Sequence, residues 1–143
     1  MTAIETITLQ IQTADKDGAG TDGDVYLGVC GREFRADTSA DDYERDSSRE
    51  YVFGDGANIN NASVNDPRVP QLHLENADRF PVYIRFQPTS RTDNWKLLRA
   101  EVSFNGAFFP RWDTGDLIPF DERGGIWLGT RSGLWVHIAR HSD

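Results

Sequence analysis

The sequence predicts an all-β fold, an antiparallel β-sandwich of about eight strands that forms one domain over residues 1–143. Three observations predict it. Ile7, Leu9 and Ile11 alternate with Thr8, Gln10 and Gln12, the two-residue period of a half-buried strand. Nine or ten short apolar segments follow one another, separated by Gly, Asn, Asp and Pro. No segment carries a sustained helical period.

The elements follow in order. Residues 25–30 read as a second strand, and Gly31 turns it into a third over 32–36. Residues 37–50 are a polar, acid-rich loop, and 51–53 a short strand. The stretch 54–68 is rich in Gly, Asn and Asp and reads as a loop elaboration. Strands are expected at 69–75 and 82–87. Residues 95–104 place Leu98, Ala100, Val102 and Phe104 on one face, and Asn105-Gly106 is a hairpin signal. Phe108 and Phe109, as neighbours in a strand, would point to opposite faces. A second elaboration spans 113–125, and strands at 126–128 and 134–139 close the chain.

Composition narrows the function. Fifteen Lys and Arg against 23 Asp and Glu leave a net charge of −8, which opposes nucleic acid and bare anionic membranes and suits a protein that holds cations. The one cysteine, Cys30, excludes an internal disulfide and reads as a packed thiol. No apolar run reaches membrane-spanning length, roughly 20 residues. No secretory leader is read at the N-terminus, so the default expectation is cytoplasmic; an extracellular place requires a longer precursor.

Three acid-bearing loops carry the chemistry. Residues 13–27 hold a Gly-rich run, Asp15-Lys16-Asp17-Gly18-Ala19-Gly20-Thr21-Asp22-Gly23-Asp24, between two strands. The second is Asp37-Thr38-Ser39-Ala40-Asp41-Asp42-Tyr43, and the third Thr92-Asp93-Asn94-Trp95. Loops at one end of a sandwich cluster, and clustered carboxylates repel unless a cation lies between them. Carboxylates, hydroxyls and flexible main-chain carbonyls are hard oxygen donors suited to Ca²⁺, which takes six to eight of them. An EF-hand does not fit, because a loop begun at Asp15 puts Ala19 at position five and Tyr26 at twelve. On residue types alone, solvated acidic turns remain the alternative.

Gly18-Ala19-Gly20-Thr21-Asp22, followed by Val25-Tyr26, resembles the opening motif of the PLAT, or lipoxygenase-homology, family. The second loop is similar to its clostridial alpha-toxin form, with Asp37 and Asp42 in register. Asp93-Asn94-Trp95 with Leu97 and Val102 resembles the family's Trp-containing strand. The matches run from about residue 7 to 104. The resemblance implies an eight-stranded sandwich binding two or three Ca²⁺ ions at one end. Gly18 and Gly20 would offer main-chain carbonyls facing Asp93 and the Asn94 carbonyl. Thr21, Asp22, Asp41 and Asp42 would form a second site, and Asp37, Thr38, Ala40 and Asp42 a third. The chain departs from the family pattern at Gly18, where an Asp is usual, and at Thr38 and Ala40, where the alpha-toxin form has Asn and Gly. Membrane-binding members carry exposed aromatics in the loop before Asp93, whereas here it is Pro88-Thr89-Ser90-Arg91-Thr92. Tyr43, Arg91 and Trp95 are the candidates for contact with lipid or a partner; for Tyr43 the alternative is packing under its own loop, and Trp95 reads first as a core ring.

Catalytic signatures are missing. There is no H-E-x-x-H, Cys-His cluster, G-x-S-x-G or Walker loop, and Gly129-Thr130-Arg131-Ser132-Gly133 has its serine misplaced for a nucleophile elbow. His73, His137 and His141 read as structural or surface residues. The expectation is a non-catalytic calcium-binding module that associates with lipid, a membrane or a lipid-related partner. The alternatives are a protein-docking module with structural calcium, and an enzyme or carbohydrate binder using Phe108, Phe109, Trp112, Trp127 and Trp135.

Overall fold

A computed structural model of the chain describes residues 1–118 and 124–142. Among these residues, ten strands form two antiparallel sheets. Strands β1 (Thr6–Thr13), β4 (Ser48–Gly54), β6 (Trp95–Phe104), β7 (Arg111–Asp113), β8 (Ile126–Leu128) and β10 (Arg140–His141) make one sheet. Its order is β10-β7-β6-β1-β4, with β8 also paired to β6. Strands β2 (Asp24–Val29), β3 (Arg32–Arg35), β5 (Tyr83–Gln87) and β9 (Trp135–His137) make the other, in the order β3-β2-β5-β9.

The alternation read from β1 puts Ile7, Leu9 and Ile11 into the core, which also holds Val25, Leu27, Phe34, Ile84, Phe86 and Val136 of the second sheet. Each large apolar side chain so buried contributes about 1.5–3 kcal/mol, the main source of cohesion between the layers. Cys30 and Gly31 both take positive φ (54° and 77°), a tight two-residue turn between β2 and β3. The Cys30 thiol is partly buried against the core, and that burial pushes its pKa up to about 11.

Several expectations are corrected. In β6 the inward side chains are Trp95, Leu97, Ala100, Val102 and Phe104, while Leu98 is only half-buried. The pairing shifts between Gln12↔Arg99 and Thr13↔Leu97, so a bulge at Leu98 changes which residues face inward. Residues 69–75 are not a strand. They turn at the Leu72 N–H bond to Pro67 O and lead into a 3₁₀ turn, Leu74–Asn76. Asn105-Gly106 does form a turn, closed by the Ala107 N–H on Phe104 O (3.0 Å), but β7 begins only at Arg111. Phe108 and Phe109 therefore lie outside any strand. Both rings are exposed and both contact the Arg111 guanidinium, at 4.3 and 4.9 Å.

The 54–68 elaboration covers two strand edges. Asn58 accepts from the Val52 N–H (2.8 Å) and donates to Glu50 O (2.9 Å), blocking β4. Asn65 accepts from the Arg35 N–H (2.8 Å), and the Arg32 guanidinium donates to the carbonyls of Val64, Asp66 and Val69, fixing the same segment against β3. The 113–125 elaboration lies partly outside the described residues.

Candidate metal-binding loops

The connections β1–β2, β3–β4 and β5–β6 emerge at the same end of the sandwich, as the strand pairings require. Specific bonds then lock them together. The Thr21 N–H donates to Tyr43 O (3.0 Å), tying the first loop to the second. The Thr21 hydroxyl donates to Asp93 Oδ1 (2.7 Å), tying it to the third. A Cβ on Gly20 would stand 2.9 Å from Arg45 N and 3.1 Å from Tyr43 O, so only glycine permits this approach of two backbones.

All but Asp46 of the acids in these loops fall into three groups. Asp15 and Asp17 are ion-paired with Arg45 (2.8 and 2.5 Å), and Asp24 with Arg35 (2.7 Å), which also lies 3.9 Å from Asp37. Asp42 and Asp93 are occupied by hydrogen bonds. Asp42 accepts from the Thr38 N–H and hydroxyl (both 2.8 Å) and the Tyr51 hydroxyl (3.1 Å). Asp93 accepts from the Thr89 N–H (2.8 Å) as well as from Thr21. The third group is Asp22, Asp41 and Glu44, all exposed, whose carboxylate oxygens lie within 4.8 Å of one another. None of the three forms an ion pair among the described residues. Carboxylates this close repel by about 1 kcal/mol per pair even in water, a cost that a divalent cation between them reverses.

Of the residues expected in metal sites, Asp22 and Asp41 come together. Thr21 lies beside them with its hydroxyl committed to Asp93 and to the Gly23 N–H (2.9 Å). Gly18 is exposed with φ 77°, and Gly20 borders a cleft of about 370 Å³ with Asp22, Glu44 and Asp93. Asp37, Ala40, Asp41 and Asp42 line a neighbouring cleft of about 180 Å³ together with Asp22. Thr38 caps its own loop through Asp42. The Asn94 side-chain oxygen packs flush against Gly129, where a Cβ would stand only 2.1 Å from it. Glu44 is absent from the expected donors. No spacing rule marks it; its place follows from the bond between Thr21 and Tyr43.

The contact role is corrected for both rings, and for Trp95 the core reading is the one that stands. Tyr43 is buried, stacks on Tyr51 (5.5 Å), donates its hydroxyl to Ala36 O, and has its pKa pushed well up, first by burial. Trp95 has no exposed surface and donates Nε1–H to Thr13 Oγ1 (2.9 Å). Both rings anchor the loops from beneath and offer nothing to a membrane. Arg91 is exposed.

No family model matches the chain, and no curated protein matches it. Solved structures do. The alpha toxin of Clostridium absonum superposes with a TM-score of 0.64 at 20% identity, over 96% of this chain and 32% of the toxin. Clostridium perfringens alpha-toxin from avian strain SWCP gives 0.63 at 19% identity, with the same coverage. A lipoxygenase variant solved with arachidonate gives 0.59 at 11%, over 95% of this chain and 16% of the enzyme. The chain thus spans about a third of the toxins and less of the lipoxygenase. The likeness shows a PLAT-like β-sandwich, the fold that the loop motifs imply.

Proposed function

We propose that this chain is a non-catalytic calcium-binding module that associates with lipid surfaces in a calcium-dependent way. The observation that carries this reading is the segregation of charge at one end of the sandwich. Acids with arginine partners stand apart from Asp22, Asp41 and Glu44, which meet without one. The donor set fits Ca²⁺: three carboxylates from two loops, with Gly20 bordering the same cleft, accommodate an irregular, oxygen-rich shell more readily than the strict octahedron of Mg²⁺.

Bound calcium would supply positive charge able to bridge protein carboxylates and lipid phosphates. The chain's own residues do the rest. Thr21 holds the three loops in register, Asp42 and Asp93 fix the loop backbones, and Tyr43 with Trp95 supports them from the core. The proposed capacity is two or three ions, with the cluster of Asp22, Asp41 and Glu44 as the best-formed site. Asp37, with Thr38, Ala40 and Asp42, stays the proposed site of a further ion; Arg35 beside Asp37 opposes it.

Co-sedimentation with phospholipid vesicles, in calcium and in chelator, tests the reading. Sedimentation only with calcium is expected. Calcium binding with no sedimentation over several lipid compositions would leave a protein-docking module with structural calcium, the reading that the polar 88–92 loop favours.

A further inference from the structure

Beside the acidic cluster lies a cleft of opposite character. It measures about 470 Å³ and is lined by Arg91, Thr92, Asn94, Trp127, Arg131 and Ser132. Two loops build it. One is the 88–94 connection that also carries Asp93. The other is the turn at 129–133, closed by mutual Gly129 and Gly133 N–H···O bonds (3.0 and 3.1 Å). Gly129 lies flush on Asn94, so the turn is seated against the third acidic loop and brings Arg131 to the cleft that Arg91 lines.

The charge distribution makes this cleft unusual. In a chain of net charge −8, Arg35, Arg45, Arg68, Arg85, Arg99 and Arg140 each have a carboxylate within 3.3 Å. Arg91 and Arg131, like Arg32, Arg49 and Arg79, form no ion pair among the described residues, and these two line the same cleft. Both side chains are exposed, and a single anion in the cleft could meet both guanidinium groups. Thr92 and Ser132 add hydroxyl donors, and the half-buried Trp127 ring adds an apolar wall.

We propose that this cleft binds a phosphate monoester, with Arg91 and Arg131 as the charged ligands and Trp127 against the esterified stem. A phosphomonoester carries close to two negative charges near neutral pH, which two guanidinium groups balance; a diester carries one. Guanidinium forks match phosphate oxygens in pairs, where an ammonium offers a point charge. The lipid source of the phosphate rests on the reading of this end as lipid-facing. The cleft's chemistry needs no calcium.

The test titrates the full chain in chelator with sn-glycerol 3-phosphate and with inorganic phosphate, following backbone amide shifts. Shifts at 91–94 and 129–133 are expected, with affinity reduced about tenfold or more in R91Q/R131Q, since one charge-assisted bond accounts for about a tenfold change. No shift, or equal affinity in the double variant, overturns the proposal. A second arm compares phosphatidylcholine vesicles with and without phosphatidic acid, in calcium. Stronger sedimentation with phosphatidic acid, lost in R91Q/R131Q, is expected; soluble phosphate binding without that preference overturns the lipid source. D22N/D41N removes two negative charges near the cleft, so phosphate binding in chelator should persist or strengthen while calcium binding is lost, and failure of the calcium site and failure of the cleft are read separately.

Discussion

The Thr21 hydroxyl donates a 2.7 Å hydrogen bond to Asp93, 72 residues away, and this bond fastens the first acidic loop to the third. Thr21 is buried and its oxygen also accepts from the Gly23 N–H. Thr21→Val keeps the shape and removes both roles. It should cost about 1–3 kcal/mol in urea unfolding, because the Gly23 N–H and Asp93 lose a partner. Calcium affinity should fall with it, although Thr21 carries no charge. Thr21→Ser should restore both.

Gly18 and Gly20 separate conformational strain from steric approach. Gly18 has positive φ but nothing within 4 Å of an added Cβ, so Gly18→Ala should cost about 1–2 kcal/mol and leave calcium affinity near its original value. Gly20→Ala meets backbone atoms of Tyr43, Glu44 and Arg45. It should push the second loop away and weaken calcium binding more than Gly18→Ala does. Calorimetric titration of the two variants side by side measures the difference.

Trp95 and Trp135 should behave oppositely. Trp95 is wholly buried and its Nε1–H is satisfied by Thr13, so Trp95→Ala should destabilise by about 3–5 kcal/mol. Trp135 is 62% exposed on the outer face of β9, and Trp135→Ala should stay near 0.5 kcal/mol. Urea midpoints of the two variants give the comparison.

Asp113 sets an acid limit to stability. Burial alone would raise its pKa. Hydrogen bonds from Arg99 (2.6 and 3.1 Å) and the Gly115 N–H, with the charges of Arg99 and Arg111, outweigh that and hold it below the usual carboxylate range. A depressed folded-state pKa adds stability that is fully present above the unfolded value, about 3.9, and is lost as pH falls through the folded value. Asp113→Asn should lower stability at neutral pH and flatten its decline in acid, as read from melting temperature against pH.

The fold was legible because period and punctuation agree. The Ile7-Leu9-Ile11 alternation names the inward face of β1, and Asn105-Gly106 marks a turn that forms. The bulge at Leu98 was not legible, since it arises from pairing with Gln12 and Thr13 far away in sequence. Residues 69–75 carry strand-like side chains, yet Arg32 claims the Val69 carbonyl and the segment turns instead. At the site, the convergence of three loops was readable from their acids and glycines. Glu44 was not, because only the tertiary bond between Thr21 and Tyr43 gives it a place. Tyr43 reads equally as a loop tip because a sequence does not show that a loop ring packs inward, whereas Trp95 is the core ring that its strand suggests.

The central claim is that Asp22, Asp41 and Glu44 hold calcium. Calorimetric calcium titration of chelator-treated protein, wild type against D22N/D41N, tests it most directly. Saturable binding by the wild type, weakened about tenfold or more in the variant with the loss of two charge-assisted ligands, is the predicted result. A wild type that takes up no calcium, or a double variant that binds it equally well, would contradict the account.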